Sequence, residues 1–316
     1  MSRNVEEYPQ TLAEFDRRFA TEAACWAYLM HLRWPEGVVC PRCQGRTGWT
    51  TTRALWVCAA CGYQSSVTAG TIFQDTHYPL TLWFRAIWWV TSQKTGASAL
   101  GLQRVLGVGS YRTAWTWLHK LRRAMVRPGR DRLAGRIEVD ETYLGRTEGG
   151  VRGRKTRQKA LIVVAAQEDG PRIGRIRMRR VADASAASLQ PFIAAAIAPG
   201  SVVHTDGWEG YLGLERHGYR HEVTVQKGAA LDLLPRVHRV VALLKRWLMG
   251  THQGAVSHAH LDYYLDEFTF RFNRRTSRSR GMLFYRLLQQ AVVVGPVPYT
   301  TMIRHARGRK PGNHNS

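Results

Sequence analysis

Acidic residues are scarce in this chain: 23 Asp and Glu stand against 46 Lys and Arg in 316 residues, a formal charge of +23. A chain so short of negative charge attracts polyanions. The basic residues are spread along it and interleaved with aromatics instead of gathered on one amphipathic helix, which favours nucleic acid over an anionic membrane surface. Long apolar runs are also missing. Nothing approaches the ~18 to 20 residues of a membrane span, and the opening MSRNVEEYPQ lacks a basic-then-apolar leader pattern, so no membrane association and a cytosolic (cytoplasmic) location are expected. Cysteine is sparse as well. Five in a chain this long make no disulfide framework, and four of them fall into two CxxC pairs, which in a reducing compartment points to metal. The fifth, Cys25, sits in the apolar stretch EAACWAYLMHL and reads as a buried structural thiol. What is plentiful is apolar surface, 44% of residues, enough for two or three globular domains.

Helical spacing of Leu12, Phe15, Phe19, Ala23, Trp26, Leu29 and Met30 predicts one helix over residues 11–33, with TLAE as a capping box. From Cys40 to about Thr71 the chain is Gly-bearing and β-like, which suits hairpins. PLTLWFRAIWWVTS reads as a tryptophan-rich helix, and SALGLQRVLGV and SYRTAWTWLHKLRRAM as two more, divided by Gly107 to Gly109. After the linker VRPGRDRLAGR the period changes to that of strands: GRIEVDETYLG, KALIVVAAQED and RIGRIRMRRVAD, with DGP turning between the last two. An alanine-rich helix over 184–198, a fourth strand SVVHTDG, and two helices through RVHRVVALLKRWLMG and SHAHLDYYLDEFTFRFNRR follow. The end, RHARGRKPGNHNS, is basic, poor in apolar residues and expected to be disordered. The fold class expected is therefore a multidomain α+β protein. Its parts are an N-terminal helix and zinc ribbon (1–75), a helix-turn-helix-like DNA-binding region (76–130), an α/β domain with a mixed sheet (131–285) and a basic tail (286–316).

Two motifs carry chemistry. Cys40, Cys43, Cys58 and Cys61 form two CxxC knuckles about 15 residues apart, which present four thiolates to one tetrahedral zinc and leave no position for a reactive water, so the zinc is structural. Trp49, Arg53, Trp56 and Tyr63 around them suit either DNA contact or the small core of a ribbon. Asp140, in RIEVDETYLG, and Asp206, in VVHTDGWEGY, each follow a β-branched strand run beside a Gly-bearing turn. Alone, each could be a turn-former. Together, inside a βββαβ pattern, they can share a pair of divalent cations, Mg²⁺ or Mn²⁺, for in-line attack on a phosphodiester. In the helix-turn-helix-like segment Ser110 suits an N-cap, and Arg112, Lys120, Arg122 and Arg123 are candidate phosphate contacts. A plain three-helix packing layer is the other reading of that segment.

VDETYLG, HTDGWEGY, LLKRWLMGTHQGAVSHAHLDYYLDEFTFRFNRR and the ribbon before them resemble the zinc-ribbon-bearing insertion-sequence transposases of the IS fifteen-ninety-five (ISXO-two-like) family. The resemblance runs from the helix before Cys40 to Asn273-Arg274-Arg275. It implies a DDE-type nuclease domain of ribonuclease-H-like fold, binding of double-stranded DNA at terminal inverted repeats and in the target, metal-dependent strand cleavage and transfer, and a homo-oligomer on DNA. It also implies a third metal-site residue seven positions before a lysine, where relatives carry Glu or Asn. Here that position is His238, with Lys245 as the lysine, on one helical face. A subgroup of the family is similar in having histidine there, and an imidazole suits Mn²⁺ better than Mg²⁺. Glu267 is the reserve for the third ligand. Lys245 would touch a phosphate near the scissile bond. An ordinary helix histidine and a solvated lysine are the plain alternatives at these two positions. The competing function is a DNA-binding protein without catalysis, a regulator or decayed transposase, against which the presence of both aspartates argues. A metal-dependent nuclease without strand transfer shares the same site.

Overall fold

Thr11 and Thr21 each start a helix in the computed structural model of the protein, which describes residues 8–127, 129–145, 159–225, 233–254 and 256–307. The single helix expected over 11–33 is therefore two, α1 (Leu12–Arg18) and α2 (Glu22–Arg33). The break has a local cause: the Thr21 hydroxyl accepts from the Ala24 N–H at 3.2 Å, an N-cap that competes with helix continuation. Thr11 caps α1 in the same way through Glu14 N. Cys25 is fully buried in α2, and burial pushes its thiol up to about 12, so it is inert as a nucleophile.

Contacts divide the chain into two units, Met1–Arg127 with Thr276–Met302, and Pro128–Arg275 with Ile303–Ser316. In the first, β1 (Gly48–Thr50), β2 (Leu55–Cys58) and β3 (Gln64–Ser66) form an antiparallel three-stranded sheet, the expected hairpins. Then come α3 (Leu80–Ser92), α4 (Ala99–Leu106) and α5 (Tyr111–Ala124), within a residue or two of their sequence-read positions. Gly107 ends α4 in the left-handed conformation, and Ser110 stands as N-cap of α5 without a side-chain bond.

The second unit is built on β4 (Arg136–Leu144), β5 (Ala160–Asp169), β6 (Arg172–Val181), α6 (Ala186–Ala196), β7 (Val202–Thr205) and β8 (Arg220–Val223), followed by α7 (Pro235–His252) and α8 (Leu261–Phe272). The sheet order is β6-β5-β4-β7-β8, antiparallel from β6 to β4 and parallel from β4 to β8. An antiparallel meander whose first strand is joined by a parallel crossover strand is the ribonuclease-H-like arrangement, and the fold class is α+β with an N-terminal ribbon. The run in β5 is apolar throughout because both its faces are covered. Ile162, Val164 and Ala166 meet Val237, Val241, Leu244 and Leu248 of α7, while Leu161, Val163 and Ala165 meet Leu189, Phe192 and Ile193 of α6. Strand β8, RHEV, has no buried residue and gives no apolar signal, which is why sequence reading passed over it.

After α8 the chain returns to the first unit with α9 (Arg280–Ala291), whose Phe284 is fully buried against Phe15, Phe19, Phe84 and Trp88 at ring-centroid distances of 5.4 to 5.7 Å. The sequence division at 285/286 thus falls inside α9. Periodicity finds such a helix but not the core that it joins. Helix α10 (Tyr299–Arg307) follows, and the remainder of the expected disordered tail, 308–316, lies outside the described residues.

Candidate functional site

The two CxxC knuckles are closed by matching turns. Gln44 N donates to Cys40 O and Gly62 N to Cys58 O, both at 2.9 Å, and Gln44 and Gly62 both take positive φ, 61° and 68°. Each turn aims its two sulfurs at the other pair. Cys40 Sγ lies 3.6 Å from Cys61 Sγ and Cys43 Sγ 3.5 Å from Cys58 Sγ, and all four lie within 4.8 Å of one another. Zn–S bonds of about 2.3 Å at a tetrahedral ion separate sulfurs by about 3.8 Å, so the four thiolates fit structural zinc. Trp56, Val38, Cys40 and Cys58 make the small ribbon core, which assigns Trp56 to packing, whereas Trp49 and Tyr63 are exposed.

In the second unit Asp140 is the fifth of nine residues of β4, not at the strand's end. The end that matters belongs to its neighbour. Parallel pairing of β4 with β7 stops at Glu138↔His204 and β7 ends at Thr205, so Asp206 leaves the sheet just where Asp140 loses its partner on that side. Asp206 is exposed in a fixed turn: its Oδ1 accepts from Trp208 N at 3.0 Å, and Trp208 Nε1 donates to Ala184 O at 2.7 Å. Gly207 there has φ +85°, and a Cβ would come within 2.7 Å of Val223, so only glycine makes this turn without strain. His238, on the first turn of α7, brings Nε2 to 3.3 Å from Asp140 Oδ2; its side chain is 48% exposed and that of Asp140 17%.

Burial, and then the charges of Glu141 and Asp206, push the Asp140 carboxyl up to about 6, while the Glu141 N–H (2.7 Å from Oδ1) and His238 pull the other way. Glu141 itself accepts the Tyr211 hydroxyl at 2.6 Å, and burial followed by that carboxylate raises the Tyr211 phenol. A largely buried carboxyl raised by burial and by neighbouring carboxylates has the donor chemistry that a divalent cation relieves. Asp140 and His238 approach as a pair, and among the described residues only the four cysteines converge within 4.8 Å as a group of three or more possible ligands.

Sequence reading missed the residue that holds His238 in place. Glu138, two residues before Asp140 and 1% exposed, accepts from the backbone N–H groups of Arg236 (2.7 Å) and Val237 (2.9 Å), and from the Arg236 guanidinium at 2.9 Å. It caps α7 from the sheet, in place of the Leu234 side chain, which cannot. Arg236 also meets Glu168 at 3.2 Å, and Glu168 meets Arg136 at 3.0 Å. An alternating E-V-D pattern puts Glu138 and Asp140 on one face of β4, and that was the available signal.

The remaining candidates are scattered. Lys245 is exposed two turns beyond His238 on α7. Glu267 is fully buried and ion-paired within α8 to Arg271 at 2.8 Å. In α5, Arg112 is exposed, Lys120 and Arg123 are half-buried, and Arg122 is 2% exposed. Arg122 faces inward from α5, beside the buried Leu118 and Leu121, and cannot be a surface phosphate contact.

Two family models match the chain: an ISXO2-like transposase domain over residues 132–273 and a transposase zinc-ribbon domain over 20–64, together more than half of its length. The sequence is 29% identical over 146 residues to a protein of Halobacterium salinarum described as an uncharacterized protein in transposable element ISH50. That alignment takes in 45% of this chain and 47% of the other, so the chain spans about half the length of the curated relative. No solved structure matches. Among the described residues, no helix is long and apolar enough to cross a membrane.

Proposed function

The chain belongs to the ISXO2-like transposases, and from that premise we propose that it is an active DDE-type enzyme that cleaves element-end DNA and joins it to a target. The observation that carries this reading is the approach of His238 to Asp140 at 3.3 Å, beside the end of β7 from which Asp206 acts on the same carboxyl. Asp140, Asp206 and His238 would hold divalent cations, Mg²⁺ or Mn²⁺. Bound there, two such ions supply an activated water or 3′-hydroxyl and charge stabilisation of the leaving oxygen. The chain's own groups do the rest. Asp140 is held by the Glu141 N–H with its second oxygen toward His238, and Asp206 is fixed by its turn. Glu138 anchors the α7 N-terminus, so the imidazole cannot drift from the carboxylate. Lys245, exposed on the same face of α7, contacts a DNA phosphate.

Double-stranded DNA at terminal inverted repeats and in the target is the proposed substrate, with the +23 charge giving affinity. A homo-oligomer that pairs two ends is the proposed working form. The test is strand cleavage of element-end duplexes by zinc-loaded protein. Asp140→Asn and Asp206→Asn should each abolish cleavage with binding intact or slightly tighter, since less negative charge then faces the phosphates. Cleavage by Asp140→Asn near the wild-type rate overturns the proposal.

A further inference from the structure

A cavity of ≈ 310 Å³ lies in the first unit against α5, and its size falls in the range of small-molecule sites. Its walls are aromatic. Tyr78 stands edge-on to Trp117 at 5.3 Å, Trp117 stacks on Trp83 at 3.8 Å, and Tyr299 closes another side. Two cations from one face of α5 border it, Arg112 and, two turns later, Lys120. The Arg112 guanidinium lies 5.3 Å from the Tyr299 ring centroid and the Lys120 ammonium 6.0 Å from that of Trp83. Among the described residues no carboxylate forms an ion pair with either. Asp75 also lines the cavity beyond ion-pair distance, and burial lowers the Lys120 pKa while the Asp75 charge opposes that, so an anion brought closer would be favoured there. Thr113 and Thr116 add hydroxyls to the wall.

Aromatic walls flanked by two unpaired cations on one helix match one ligand chemistry, a planar heterocycle joined to phosphates. We propose that this cavity takes a single unstacked nucleotide of the bound DNA, its base among Tyr78, Trp117 and Tyr299 and its flanking phosphates on Arg112 and Lys120. The site rests on the DNA-binding part of the proposed function and not on the Asp140 chemistry. Arg112 and Lys120 then act on one extruded nucleotide and not along an intact groove.

Two duplexes of equal length separate the possibilities, one fully paired and one carrying a single bulged 2-aminopurine, titrated with full-length zinc-loaded protein without divalent metal. The bulged duplex should bind about tenfold tighter, the scale of one base–aromatic contact, with a change in 2-aminopurine fluorescence. Thr116→Trp, which fills the cavity, should erase that preference and leave paired-duplex affinity unchanged. Lys120→Gln, which leaves the cavity open, should reduce it severalfold and serves as the arbiter if the tryptophan variant does not fold. Equal affinity for the two duplexes, or a preference that survives in Lys120→Gln, overturns the inference. No binding to either duplex overturns the DNA-binding reading itself.

Discussion

In the zinc ribbon four sulfurs already stand within 4.8 Å of one another on two matched turns, whereas in the second unit Asp206 stays exposed and Asp140 resists ionisation up to about 6. The difference follows from what each centre does. A structural ion needs a closed shell that local turns can assemble, and the two CxxC knuckles do this within 22 residues. A catalytic ion needs open positions for DNA, and the ligands proposed for it come from a strand, a turn after another strand and a helix, each set by tertiary packing. One centre is a property of a short sequence, the other of a folded domain.

Zinc removal gives the largest expected effect. Structural zinc contributes about 10 to 16 kcal/mol in small domains. Cys58→Ser should therefore lose the ion, about one per chain by metal analysis, and unfold the ribbon while the second unit keeps its own transition. A folded ribbon without zinc would break the comparison on its first side.

Next comes Glu138. Glu138→Leu strips two backbone donors and Arg236 of a buried acceptor, a loss of about 3 kcal/mol by analogy with broken buried pairs, read by urea unfolding. Glu138→Gln keeps the acceptor oxygen for the N–H groups and should recover much of this. Under conditions where both are folded, the leucine variant should cleave DNA far more slowly than the glutamine one and require more Mn²⁺. Equal cleavage by both would reduce Glu138 to a purely structural role.

The legibility of the chain divides along the same line. The ribbon, its cysteines and the strands β4 to β7 were readable because their signals are local: spacing of thiols, alternation, and a continuous apolar run in β5 where both faces are covered. Asp140 and Asp206 were readable as candidates from strand-end patterns, yet the strand end that exposes Asp140 is that of β7, a fact of pairing register. His238 came only from family resemblance. For Glu138 the E-V-D alternation gave only its place on the face of Asp140, since nothing local shows that it caps a helix 98 residues away. Arg122 misled because a run of basic residues does not tell which one faces inward.

A smaller effect measures the tension at Asp140 itself. Its folded pKa of about 6 lies above the unfolded value near 3.9, so the folded state holds the proton more tightly. The stabilisation is complete below about pH 4 and is lost as pH rises through 6, a change of order 3 kcal/mol. Asp140→Asn should thus unfold at higher urea than wild type at pH 7.5 and at nearly the same urea at pH 4. Added Mn²⁺ should narrow the gap at pH 7.5 by stabilising only the wild type. A gap independent of pH would mean that the carboxylate is not under electrostatic strain.

The most direct measurement is Mn²⁺-supported cleavage of element-end DNA by wild type, Asp140→Asn, His238→Ala and Glu267→Gln, each first checked for folding and DNA binding. Asp140 and His238 meet at 3.3 Å, while Glu267 is tied to Arg271. The aspartate and histidine variants should therefore lose about a hundredfold or more, as removal of a metal ligand does, and Glu267→Gln should cleave near the wild-type rate. Normal cleavage by Asp140→Asn, or a dead Glu267→Gln beside an active His238→Ala, would contradict the account.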